Sequence, residues 1–234
     1  MTFRTFILGL LASFGFAWLS VVVVPFFKMR NLQPLVFKED VDGKDGIYHP
    51  KRAGRVANGA EVYAQQGCYN CHTQLVRPTY AGNDLFRADW GGQKDAGERG
   101  DTRRETNAFD FGGEKFAQIG VMRQGPDLSN LGLRVETSYA KDAHTTPEGW
   151  LYGHLYRPRH ELSRIKSNCP PQPFLFVKKQ VTGNRSLDAL PFESPEGTEI
   201  VPTDEAKALV SYLLSLKKDD AVPASINFAP AKKK

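Results

Sequence analysis

Cys68-Tyr69-Asn70-Cys71-His72 sets two thiols three positions apart, with an imidazole directly after the second. Two thiols at this spacing can each add across one vinyl group of a single porphyrin. The adjacent histidine then lies beneath the iron and supplies its proximal nitrogen. Two other chemistries use paired cysteines. A thioredoxin-like dithiol needs a surrounding βαβ pattern, which the flanking residues lack. A structural zinc site needs further ligands at recognisable spacing, and this chain of three cysteines and five histidines has no second CxxC or HxxxH pair. The residues therefore point to one covalent c-type haem on Cys68 and Cys71, with His72 as proximal iron ligand.

A haem held this way needs its proximal ring fixed. Gly125-Pro126-Asp127-Leu128 resembles the GPxL turn of class I cytochromes c, in which the proline carbonyl accepts the proximal histidine N–H. Four such residues alone also read as an ordinary turn. Their place between CxxCH and a C-terminal amphipathic helix makes the haem reading the more specific one.

The elements that must position these groups can be read around them. A helix is expected over residues 51–66, with Val56, Ala60 and Tyr63 on one face and Gly67 ending it just before the motif. A second helix is expected near the C-terminus. Pro202 and Thr203 supply its entry, and Asp204 and Glu205 suit its first turn. Ala206, Leu209, Val210, Leu213 and Leu214 form its apolar stripe, and Lys217 and Lys218 fall in its last turn. Residues 150–156 can form a short helix before the Arg157-Pro158 break. No strand alternation is sustained, and no repeat is present. The Gly- and charge-rich stretch 89–114 reads as a solvated surface insertion, with a docking surface as the alternative.

Residues 6–27, FILGLLASFGFAWLSVVVVPFF, carry no charge. About 20 apolar residues suffice for a helix to cross a bilayer. Val21 to Val24, Phe26 and Phe27 occupy the end where a cleavage site would need small residues, so an uncleaved anchor is expected rather than a secretory signal. Pro25 falls near the exit, where its missing N–H costs least. Only Arg4 precedes the helix, whereas Lys28, Arg30 and Lys38 follow it, so charge alone favours a cytoplasmic bulk. Covalent haem, installed outside the cytoplasm in bacteria, favours the reverse. The expectation is a single-pass protein of the bacterial inner (cytoplasmic) membrane with its haem domain on the periplasmic side.

The fold expected is mainly α, an N-terminal transmembrane helix plus one class I cytochrome c-like domain with long loop insertions. Its divisions are an anchor over residues 1–30, a connector over 31–50, the monohaem domain over 51–220 and a flexible basic tail over 221–234. The net charge of +5 lies partly in Lys232, Lys233 and Lys234. Basic and aromatic residues are not interleaved as nucleic-acid binding would require, so no nucleic-acid partner is expected.

Residues 67–78, GCYNCHTQLVRP, resemble the GCYNCHSQxxRP signature of the monohaem cytochrome c subunit of cbb3-type haem–copper oxidases. Further matches follow in order at Gly125 to Leu128, Leu131-Gly132, His154-Leu155 with Pro158-Arg159, and Ser167-Asn168 with Pro170. The resemblance implies one haem c and electron relay towards a polytopic catalytic subunit. It also implies a further cytochrome c subunit or a soluble cytochrome as donor. Arg77, Arg157 and Arg159 have the guanidinium geometry that suits haem propionates, against the plainer reading of solvated surface arginines. The resemblance adds weight to Arg77 and Arg159. Tyr69 and Trp150 read as core or haem-packing aromatics.

One departure matters. The family places its distal methionine in an SNMP-like segment, and this chain has Ser167-Asn168-Cys169-Pro170. Cys169 can be a thiolate ligand that stabilises ferric iron and lowers the potential, or a small buried hydrophobe. Met122, His144, His154 and His160 are other distal candidates, and the sixth position can also be open.

Three functions compete. In the first, the chain is a non-catalytic electron-transfer subunit of a haem–copper oxidase, since it has no set of histidines spread over several apolar helices. In the second, the same haem serves another respiratory complex or a tethered shuttle. In the third, a His/Cys-ligated haem acts on sulfur compounds, although no second CxxCH is present to drain the electrons.

Overall fold

A computed structural model of the chain describes residues 2–31, 36–37, 46–47, 54–97, 100–111, 114–161 and 164–218. They fall into two compact units, Met1–Tyr48 and His49–Lys234. Most of the expected connector and all of the expected basic tail lie outside the described residues.

The first unit contains helix α1, Phe3–Met29, 27 residues long with a mean hydropathy of 2.4. At 1.5 Å per residue it is about 40 Å long, more than the ~30 Å of a bilayer's hydrocarbon core. Thr2 caps it by accepting the Thr5 N–H. Leu19–Val23 widens into a π-helical turn, and the Val24 N–H reaches back to the Leu19 carbonyl. Pro25 follows at once; its ring has no N–H to give, and a widened turn accommodates it. The helix continues past Pro25 to Met29. Val36–Phe37 (β1) and Gly46–Ile47 (β2) pair antiparallel in a two-residue ladder.

The second unit is organised by two helices that cross closely, α2 (Arg55–Gln65) and, at the far end of the chain, the helix Asp204–Ser215. The approach depends on Gly59. A Cβ there would lie 2.6 Å from the Ala208 carbonyl carbon and 2.7 Å from Tyr212 Cβ. Tyr63 and Tyr212, both fully buried, pack with ring centroids 5.4 Å apart at the same crossing.

Between these helices run α3, built from Leu131–Arg134, a π-helical turn Val135–Tyr139 and Ala140–Asp142, and then α4, Pro147–Tyr156. Thr146 caps α4 through the Gly149 N–H, and Pro147 sits at the first position, where its missing donor costs nothing. Phe176–Gln180 (β3) and Thr198–Pro202 (β4) form an antiparallel pair, with Phe176 opposite Pro202 and Gln180 opposite Thr198. In β3 only Phe176 is buried, which is why alternation did not reveal the strand. The last helix is α5, Asp204–Ser215, capped by Thr203, whose hydroxyl accepts the Ala206 N–H. Leu128, Leu131, Leu151, Leu155, Leu175 and Leu209 are among the buried residues of the core.

Two sequence expectations need correction. Helix α5 ends at Ser215, so Lys217 and Lys218 lie beyond it rather than in its last turn. Lys218 is instead only 3% exposed. Its Nζ donates to Asp110 Oδ2 at 2.7 Å, and Asp110 also accepts from Arg104. The 89–114 stretch is therefore not simply solvated, because a buried ion cluster fastens it beside the end of α5. Burial, more than the neighbouring Arg104 charge, pulls the Lys218 ammonium down to about 8, against the pull of Asp110.

Candidate haem site

Gly67 leaves α2 in the left-handed conformation, with φ of 67°, and starts a short 3-10 turn over Cys68–Asn70. The Cys68 carbonyl accepts both the Cys71 and the His72 N–H, at 3.2 and 3.0 Å. This tight turn puts Cys68, Cys71 and His72 on the wall of one cavity of about 430 Å³. That volume lies in the usual range for cofactor sites. Leu128, Leu131, Leu151, Leu155, Leu175, Leu209 and Leu213 give the cavity an apolar wall. No disulfide joins the three cysteines of the chain.

The GPDL turn is tied to the CxxCH turn along its length. His72 Nδ1 lies 2.8 Å from the Pro126 carbonyl oxygen, which leaves Nε2 to serve as a ligand. The Gly125 N–H donates to the Cys71 carbonyl at 2.9 Å, and the Leu128 N–H to the Thr73 carbonyl at 2.7 Å. Asp127 Oδ2 accepts from Thr73 Oγ1 at 2.5 Å and from the Leu75 N–H at 2.8 Å. Gly125 lies flat against the His72 ring. A Cβ there would be 2.6 Å from Nδ1 and 2.8 Å from Nε2, and closer still to Cε1.

Behind this pair of turns sits Asp84, fully buried. It accepts from the Arg77 N–H, Nε and Nη2, and from Arg123 Nη1 and Nη2. Burial works to raise its carboxyl pKa, but the bonds from Arg77 and Arg123 outweigh burial and hold it well below the ordinary range. Arg123 also donates to Thr73 Oγ1 and to the Leu75 carbonyl, so the clamp reaches the residues right after His72.

Burial pushes the Cys68 thiol up to about 12 and also raises Cys169. It lowers His72, against the upward pull of the Pro126 bond. His154 is lowered to about 4, first by burial and then by the Arg164 charge. At neutral pH both imidazoles are therefore uncharged, the form that coordinates metal.

The cavity separates the sequence candidates. Pro126, Cys169, His154 and Trp150 line it together with Cys68, Cys71 and His72. Met122 does not; it is 52% exposed and outside the wall. His144 and His160 also lie outside, and His160 Nδ1 is engaged with the Arg157 carbonyl at 2.7 Å. Arg77 is turned to Asp84 rather than to the cavity, because a buried carboxylate holds its guanidinium at 2.9 Å. Arg157 and Arg159 are exposed and outside the lining, Arg157 lying over the Phe192 ring. Sequence reasoning missed Arg164 and Lys166, the charged side chains among the described lining residues. Their distance from the motif in sequence gave no signal.

Two thiols and a neutral imidazole on one wall of an apolar cavity, with no space for a larger residue at Gly125, fit a porphyrin attached at that wall. A mainly helical domain with crossed terminal helices around such a cavity is a class I cytochrome c-like domain. Residues 11–198 match the family described as the mono-haem subunit of cytochrome c oxidase, FixO, and the chain belongs to that family. No curated protein matches the chain.

Proposed function

We propose that this chain is a membrane-anchored electron relay to the polytopic catalytic subunit of a cbb3-type haem–copper oxidase. The observation that carries the reading is the meeting of Cys68, Cys71, His72 and the Pro126 carbonyl on one apolar cavity in a chain of the mono-haem oxidase subunit family. Bound haem c supplies one-electron chemistry between ferric and ferrous iron. Cys68 and Cys71 would hold it by thioether bonds. His72 would offer Nε2 to the iron, with the Pro126 carbonyl fixing the imidazole and strengthening it as a donor. Cys169, on the same cavity, would be the residue that holds the iron from the far side, a place Met122, exposed and outside the lining, does not share. The leucine walls give the site an apolar surround. The chain itself performs no bond-making chemistry on a substrate.

The haem domain, over residues 51–220, lies on the periplasmic side and receives electrons from a second cytochrome c subunit or a soluble cytochrome. Helix α1 crosses the inner membrane and packs against the catalytic subunit. Purification of the full chain from native membranes in mild detergent tests this. Recovery with a polytopic subunit carrying b-type haem and copper is the expected result. Recovery of the chain alone, with oxidase activity in other fractions, would overturn the partner assignment.

A further inference from the structure

The cavity has a marked charge imbalance. Its described lining residues include the cations Arg164 and Lys166 and no carboxylate. Arg164 belongs to an aromatic column. Its guanidinium carbon lies 4.4 Å from the Tyr139 ring centroid and 4.9 Å from that of Trp150. Trp150 packs at 5.0 Å against Tyr139 and at 5.1 Å, nearly parallel, against His154. All four side chains line the cavity. Arg164 is ion-paired with Glu161, Nε to Oε2 at 3.7 Å, a separation longer than a hydrogen bond. Trp150 is 4% exposed, and its indole N–H has no acceptor among the described residues. A buried donor of this kind implies an acceptor brought from elsewhere.

We infer that Arg164, stacked on Tyr139 and Trp150, is the cation that receives a haem propionate, with the Trp150 N–H as a second donor to it and Lys166 at the exposed side. Haem carries two carboxylates, which match the two cations of the wall. Aromatic faces fix the guanidinium plane without consuming its N–H groups, so the fork can take a carboxylate in bidentate fashion. This assignment replaces Arg77, which Asp84 already holds, and Arg159, which lies outside the lining. It rests on the haem reading above.

Arg164 then acts on the iron through charge. An ionised propionate favours ferric over ferrous iron, and the arginine offsets that charge. Without the arginine, the propionate stabilises ferric iron more strongly, and it takes up a proton at higher pH. The potential therefore falls at alkaline pH, and the step at which it begins to fall moves up in pH.

The test uses the full chain matured with covalent haem, and compares midpoint potential against pH for wild type, Arg164→Gln, Arg164→Lys, Trp150→Phe and Arg159→Gln. A pyridine haemochrome spectrum first establishes haem c in wild type; its absence there refutes the haem reading itself. With haem present, Arg164→Gln is expected to have the lower potential at pH 8 and the displaced step, Arg164→Lys to recover most of both, and Arg159→Gln, whose charge acts on Cys169, to leave the step where wild type has it. Trp150→Phe, which removes the N–H and no charge, is expected to move the step upward alone, and it carries the test together with Arg164→Lys if the glutamine variant does not fold. Potential–pH curves for the Arg164 and Trp150 variants that superimpose on wild type, or a displaced step in Arg159→Gln, would overturn the assignment.

Discussion

Gly125→Ala perturbs the site through a single methyl group. The added Cβ would stand 2.6 Å from His72 Nδ1 and 2.8 Å from Nε2. Ordinary contact between heavy atoms of this kind is about 3.5 Å, so the ring must retreat by roughly 1 Å. The 2.8 Å approach of Nδ1 to the Pro126 carbonyl cannot survive a shift of that size away from the GPDL turn. Overpacking costs about 1–3 kcal/mol and loss of the bond about 1 kcal/mol, together ~2–4 kcal/mol. In a domain of this size each kcal/mol moves the melting temperature by about 2–4 °C, so a fall of roughly 4–16 °C follows. Thermal melting of the haem-loaded full chain, followed by circular dichroism, reads the stability. Optical titration reads the potential, which should rise because the imidazole loses the partner that strengthens it as a donor. Pro126→Ala keeps the carbonyl and should have the smaller effect on both. A Gly125→Ala protein that melts within ~1 °C of wild type with an unchanged potential would show that the ring is not held between Gly125 and Pro126.

Two further outcomes follow from the same geometry. Under the proposed ligation, Cys169→Met exchanges a thiolate for a thioether facing the same cavity, and should raise the midpoint potential by on the order of a few tenths of a volt, within the ~0.8 V that axial ligands span; an unchanged potential in a redox titration would remove Cys169 from the iron. Asp84 has a folded-state pKa below its unfolded value of about 3.9, so the stability it confers is present above about pH 4 and is lost as pH falls through the folded value. Asp84→Asn should flatten that acid loss in urea unfolding between about pH 2 and pH 5 and lower stability at pH 7; an acid slope equal to wild type's would contradict the clamp.

The parts legible in the sequence are those whose chemistry is local. Cys68, Cys71 and His72 fall on one turn because five consecutive residues and Gly67 define it. Helix α5 was readable from its Thr203 cap and its apolar stripe, and α1 from an uncharged run. The Pro126 carbonyl could be assigned because a tetrapeptide carries it. What escaped depends on distant segments meeting. Arg164 gains its place from Tyr139 on α3 and Trp150 on α4, which no spacing encodes. Arg77 has the guanidinium that a propionate needs, but Asp84, seven residues on, has the prior claim once both are folded. Lys218 looked like a helix-end cation, and instead the Asp110 carboxylate draws it inward. Strand β3 was hidden because its outward residues, Val177 to Gln180, all face solvent, with no buried partners to alternate with.

The most direct test of the account is intact-mass analysis with a pyridine haemochrome spectrum on the full chain, purified from membranes of a bacterium that attaches haem c. The account predicts one haem per chain that resists acid–acetone extraction, and its complete loss when Cys68→Ala and Cys71→Ala are combined. Haem that extracts freely from the wild-type chain, or a chain that carries none, would contradict it.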